Sequence, residues 1–384
     1  MHHDPAESGQ LSAVPADPAA RHPLPPESPA GPGPAKEARP TAEPVGAGRG
    51  KVRDPFFDNA KYLAIVLVAL AHSWEPLLAS SRPLRALYLT VYAFHMPAFI
   101  IISGYFSRTF TLGAPQVRKL ITGVAVPYVI FQYAYTLFAR LAGPDPVPTW
   151  SVLDPWWLNW FLVALFVWRL TTPLWRLVRW PLPLALALAT LGSVSPDIGA
   201  DLDLQRVLQF LPYFVLGLLL HPHHFTLLAH KWPKIVAAPV LLTGFGVAWW
   251  LAPRMPYAWL YHRESAQDLG APWWSGPLMT FTLLAASLVL TAAFLALVPR
   301  RTTWFTRLGA GTLGGYLLHG FLIKAADWGG WYGGAFAHSA PGTLLFSAGA
   351  GLAVTLLCTP PVRRAFRWAL EPRLGWAFGG TPRT

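Results

Sequence analysis

What most constrains this chain is that its apolar residues arrive in long blocks. Each block is near the roughly 20 residues that a helix needs to cross the hydrocarbon of a bilayer. Only 12% of the 384 residues are charged, about half the fraction usual in a soluble domain. Apolar and polar positions do not alternate along the blocks, which excludes a membrane β-barrel. The chain therefore reads as an all-α polytopic membrane protein with about ten transmembrane helices. They are expected near 60–79, 87–106, 120–140, 157–172, 181–195, 205–220, 234–252, 276–298, 308–326 and 342–360.

The flanks differ in kind. Residues 1–52 are rich in Pro, Ala and Gly and lack an apolar run, so a disordered tail is expected there. They also lack the apolar core of a secretory signal. Residues 53–360 form the transmembrane domain, and 361–384 a basic C-terminal tail suited to lying on anionic lipid. The net charge of +12 follows from topology. With the N-terminus inside, the inner loops hold Arg108, Arg118, Lys119, Arg169, Arg176, Arg179, Lys231, Lys234, Arg300, Arg301 and Arg307. The acids Asp145, Asp154, Asp197, Asp201, Asp203, Glu264, Asp268 and Asp327 then fall outside. That bias predicts a multi-pass protein of the cell membrane with both termini cytoplasmic. No basic face accompanies a soluble domain, so a nucleic-acid partner is not expected. The single cysteine, Cys358, can form no intrachain disulfide.

Against that apolar background a few polar residues stand out. The first block opens with Asp58, Asn59 and Lys61 and carries His72 eleven positions after the lysine. At the helical rise this is about 16 Å along the axis, beyond mid-membrane. An ionisable group at that depth is costly and usually functional, and imidazole is the side chain best suited to moving protons near neutrality. A histidine bonded to a neighbouring helix is the structural alternative. Asp58 suits a helix cap as well as a catalytic role, and Lys61 can reach the headgroups. The second block ends in Phe94-His95-Met96-Pro97 and Ser103-Gly104-Tyr105. Its proline frees a carbonyl and bends the helix, and its glycine permits close packing. Arg118 and Lys119 open the third block, Trp160 lies in the fourth, and Tyr316, His319 and Lys324 interrupt the ninth. The imidazoles of His221, His223 and His224 lack a third element with metal spacing, so no metal site is expected.

Taken in order, these segments resemble the acyltransferase 3 family of integral membrane acyltransferases, and within it the fucose 4-O-acetylase-like branch. The resemblance rests on Lys61 with ten intervening residues before His72, on the Phe-His-Met-Pro to Ser-Gly-Tyr stretch over 94–105, and on the Arg118–Tyr128 segment. Trp160-Phe161 and Tyr316 to His319 follow at the family's places, so roughly residues 53–360 are covered. One departure is that Thr122 and Gly123 stand where relatives often carry another base before the Pro-Tyr pair.

The resemblance implies transfer of an acyl group, usually acetyl, from cytoplasmic acyl-CoA to a hydroxyl of a carbohydrate or glycosylated acceptor. His72 would then be the catalytic residue, as general base or as an acylated nucleophile. His95, Ser103 and Tyr105 become candidates to steady the thioester's oxyanion, and Lys61, Arg118 and Lys119 to hold donor phosphates. Asp58, Asn59, Trp160, Tyr316 and His319 complete the expected binding residues. A transporter or flippase, with its buried His and Lys lining a path, is the alternative of a different class. A catalytically silent assembly partner is a third, disfavoured because Lys61 and His72 are both present.

Overall fold

The computed structural model describes residues 54–378 apart from 80, 145, 147 and 200. The expected N-terminal tail, Asp145 and the last residues of the C-terminal tail lie outside the described residues. Those described form helices and connections, with no strand among them. The principal helices, numbered in chain order, are α1 (Pro55–Trp74), α2 (Arg82–Ser107), α3 (Ala114–Ala142), α4 (Trp157–Leu170) and α5 (Pro181–Ser193). They continue as α6 (Leu204–Gln209), α7 (Leu211–Leu219), α8 (Lys231–Leu251), α9 (Ser275–Leu297), α10 (Thr312–Trp328) and α11 (Ala340–Leu357).

A helix stands at each of the ten expected places, with α6 and α7 sharing one of them. Not all are spans by length and composition. Five are long and apolar enough to cross a membrane, namely α2, α3, α8, α9 and α11, and the bent pair α6–α7 makes a sixth if counted as one. The pair bends by 54°. The helices α4 and α5 are apolar but short, and α10 has 17 residues. Although α1 has 20 residues, its polar side chains keep it out of the five. The expectation of about ten spans is thus met as helices but not as spans.

Local chemistry sets the ends of α1. Asp54 caps it, its Oδ1 accepting from Phe56 N at 2.9 Å, and Pro55 takes the first position, where no N–H is needed. The cap is therefore Asp54 and not Asp58, which instead pairs with Lys61 one turn on, at 2.7 Å. At the other end Pro76 cannot continue the ladder, and a 3₁₀ turn at Glu75–Leu77 follows. The helix begins and ends about five residues earlier than its apolar block.

The second helix returns antiparallel to the first. Phe57 stacks on Tyr105 at 5.1 Å at one end, and His72 meets Tyr92 at 6.2 Å near the other. Pro97 lies inside α2 without ending it. The crossing of α2 with α7 is made by Gly104 and Gly217. A Cβ on either would collide with the backbone of the opposite helix, which is the close approach small residues permit in membranes. In α3 a π turn occupies Ile121–Ala125. Pro127 lacks the N–H that the carbonyl of Gly123 would otherwise receive.

Burial sorts the helices. In α2 72% of the most apolar window is buried, against 11% in α8 and in α11. The outer two present Leu242, Val247, Leu344 and Leu352 outward, as lipid-facing helices must. Together with the apolar composition, this makes the chain a membrane protein.

Candidate active site

The site begins at the end of α1. His72 Nδ1 lies 2.9 Å from Glu75 Oε1, three residues on. A carboxylate can only accept, so Nδ1 carries the proton and Nε2 of the neutral ring carries the lone pair. The same Oε1 accepts from Tyr92 at 2.7 Å and from Tyr88 at 3.2 Å. Three donors hold the carboxylate, and the carboxylate holds the imidazole. A base with its far nitrogen fixed by an acid is the arrangement used to orient imidazole for proton abstraction.

Two more histidines share this geometry. His95 Nδ1 lies 2.8 Å from the Val91 carbonyl, one turn back on α2. On α10, His319 Nδ1 lies 2.7 Å from the Tyr316 carbonyl. Each must donate from Nδ1, which leaves Nε2 as an acceptor. The Nε2 of His319 is buried without a partner, and its ring lies 5.6 Å from that of His72. Trp157 closes against His72 at 4.6 Å, and Lys324 Nζ lies 4.8 Å from the centre of that indole. Trp157 is set by α3: Gln132 Nε2 donates to the carbonyls of Ser151 and Asp154, and its Oε1 accepts from Trp156 N.

His72, Glu75, His95 and Trp157 open onto a cavity of about 270 Å³, while His319 stands behind His72 outside its lining. His72, Glu75, Tyr92, His95 and Met96 form one wall, and Trp157, Leu158, Trp160 and Tyr316 another. Arg206 and Phe210 of α6–α7 and the loop segment Leu260–Glu264 complete it. Trp160 stacks on Phe210 at 5.2 Å and carries the Arg206 guanidinium at 5.0 Å. The Tyr316 hydroxyl donates to the Leu158 carbonyl. Another opening, beside Arg85 and Pro253–Ala258, is shallow and holds none of the histidines.

Of the residues singled out in the sequence, His72, His95, Trp160 and Tyr316 therefore line one cavity, and His319 packs behind it against His72. The others do not. Ser103 and Tyr105 lie eight and ten residues beyond His95, which on a helix is about 12 and 15 Å. Tyr105 belongs to an aromatic cluster with Phe57 and Phe225 and lies under Arg108. The expected oxyanion role of these two is not supported at the His72 end. Asn59 is fully buried at the Lys61 end and its amide is spent on protein. Its Nδ2 donates to the carbonyls of Pro299 and Arg301, and its Oδ1 accepts from Thr303 and Thr306. It fastens the connection between α9 and α10 and has no donor left for a substrate. Asp58 is likewise engaged with Lys61. Arg118 and Lys119 are exposed on α3, Arg118 against the Phe378 ring at 4.9 Å. Among the described residues no group of three or more His, Cys, Asp or Glu is placed to hold a metal. His224 Nδ1 accepts from the backbone N–H of His221, a helix-capping contact.

Beside this geometry stands a comparison with known families. The Acyltransferase domain model (Acyl_transf_3) matches residues 54–363. The chain belongs to the acyltransferase 3 family. It is accordingly a membrane acyltransferase. The match spans every helix that lines the cavity and ends at residue 363. No curated protein and no solved structure matches the chain.

Several site residues of this acyltransferase carry no flag in the sequence. Glu75 was accessible, because three residues past a histidine is one helical turn. It falls inside the expected first span, near its outer end, where the residues that stood out were Lys61 and His72. Tyr92 sits one turn before His95. Arg206 and Tyr261 have no local signal, since only the tertiary fold brings the bent helix and the distant loop to His72.

Proposed function

We propose that this protein is an O-acyltransferase that moves an acyl group, most simply acetyl, from acyl-CoA to a hydroxyl of a carbohydrate or glycosylated acceptor. The observation that carries the reading is the His72–Glu75 pair on the cavity wall, with one imidazole nitrogen held and the other free. A hydroxyl becomes an adequate nucleophile when its proton is removed during attack. His72 Nε2 takes that proton as the hydroxyl oxygen bonds to the thioester carbonyl carbon. The C–S bond then breaks, and the leaving thiolate recovers the proton from the imidazolium, giving ester and free thiol. Glu75 stabilises the imidazolium formed between these steps. The aromatic walls of Trp157, Trp160 and Tyr92 suit the apolar face of a sugar ring.

In this reading the donor enters from the cytoplasmic side, at the Lys61 end, where Arg118 and Lys119 offer exposed charge for its phosphates. The fucose 4-O-acetylase-like branch is the favoured subfamily because of the 94–105 and 118–128 segments. The test is transfer of label from radioactive acetyl-CoA to glycan in proteoliposomes. His72→Ala, inserted and folded as the parent, should abolish it. Full activity in that variant overturns the reading. Uptake of an unmodified glycan without acyl transfer would favour a transporter.

A further inference from the structure

We propose that Arg206 makes this cavity selective for an acceptor that carries an anionic group, a carboxylate or a phosphate, near the hydroxyl to be acylated. The inference rests on the proposed function for the word acceptor, but its physical basis is separate. Arg206 lies on α6 and its side chain is 12% exposed, yet it lines the same cavity as His72. A guanidinium in so apolar a place is costly unless well neutralised. Here it is not. Its Nη1 reaches Asp203 Oδ2 at 3.5 Å, and Arg263, also on the cavity wall, approaches the other oxygen of that carboxylate at 3.7 Å. Ion pairs of good geometry are closer, at about 2.7–2.9 Å. One buried acid is thus divided between two cations, both at long range. Arg206 Nε donates to the Tyr261 carbonyl at 3.1 Å. No hydrogen bond from its Nη2 is found among the described residues.

The remaining acids of the cavity do not complete the balance. Glu75 has its Oε1 occupied by His72, Tyr92 and Tyr88. Glu264 is exposed beside Arg263. Arg206 is left as a planar fork facing a cavity, the geometry that suits bidentate capture of a carboxylate or phosphate.

The backbone around it is held at some cost. Leu202 and Asp203, just before α6, have φ of 56° and 50°, and His262, just after the carbonyl that Arg206 bonds, has φ of 52°. Non-glycine residues enter that region only where the surroundings impose it, and such residues gather at binding sites. Here three of them flank one side chain.

The experiment measures binding to the purified full-length protein in nanodiscs by calorimetry. The probes are methyl β-glucuronide, glucose 6-phosphate and neutral methyl β-glucoside. At least one anionic sugar should bind more tightly than the neutral one, by a factor of about 10 to 100. The two anionic arms tell carboxylate from phosphate. Arg206→Gln should remove the preference without changing the elution profile of the protein. Arg263→Gln, at the more exposed position, should weaken it less, and His72→Ala should keep it. Equal affinity for all three sugars, binding of none, or a preference that survives in Arg206→Gln overturns the proposal. Acyl transfer without any charge preference would defeat this inference alone. A charge preference without acyl transfer would defeat the proposed function alone.

Discussion

The two ends of α1 use polar side chains in opposite ways. At the Lys61 end they are spent on the protein: Asn59 makes four hydrogen bonds to one connection, and Asp58 is closed by Lys61. At the His72 end each imidazole is tied by one nitrogen, and the other is left free. Both ends look alike in sequence, as polar residues breaking an apolar run. What separates them is the number of unspent valences. A saturated group fastens helices together, and a half-saturated one is available for chemistry.

That contrast can be broken by substitution. The largest effect is expected for Glu75→Gln. The amide cannot balance an imidazolium, and its NH₂ can turn towards Nδ1 and favour the wrong tautomer. The turnover number should fall roughly 10²- to 10⁴-fold, while the melting temperature in detergent moves little. A variant that keeps its turnover would remove the His72 end from the reactive class. Next comes Asn59→Ala, which strands two carbonyls and two hydroxyls on the α9–α10 connection. It should cost about 2–4 kcal/mol, read as a lower melting temperature, while the folded fraction keeps its turnover number. A selective loss of turnover at unchanged stability would move Asn59 to the reactive end. The smallest effect is expected for Lys61→Met. If Lys61 meets the donor, the KM for acetyl-CoA should rise about tenfold with little change in kcat. A fall in kcat with unchanged KM would place Lys61 in the chemistry instead of in donor binding.

The contrast also explains what the sequence could and could not disclose. Hydrophobic blocks located the helices, because lipid requires each crossing to satisfy its own backbone. They could not say which helices cross. The outward α8 and α11 bury little of themselves, whereas α1 carries polar groups at both ends, one set bonded to the α9–α10 connection and the other lining the cavity. His72 was legible because it is alone in an apolar run. Its partner Glu75 was not singled out, since only the fold shows that the carboxylate one turn on meets the imidazole instead of solvent. Ser103 and Tyr105 lie close to His95 in sequence but about 12 and 15 Å from it along α2. On a helix ten residues are the half-thickness of a bilayer. Arg206 and Tyr261 required the bend between α6 and α7 and a loop some fifty residues further on.

The contact between Gly104 and Gly217 bears on how such an enzyme could diversify. With no side chains between them, the two backbones touch, and neither position has room for a larger residue. One of these helices carries His95, and the other follows directly on the helix of Arg206. A larger residue at this crossing would push apart the helix of His95 and the segment that leads to Arg206. The loop bearing Tyr261 and Arg263 meets that segment through polar contacts to Arg206, Asp203 and Gln209 and through the His262 ring against Phe210. Recasting that loop would reshape the acceptor wall, and because Tyr261 meets the Tyr88 hydroxyl at 2.8 Å and Tyr88 donates to Glu75, a change at Tyr261 would also reach the proton-handling pair.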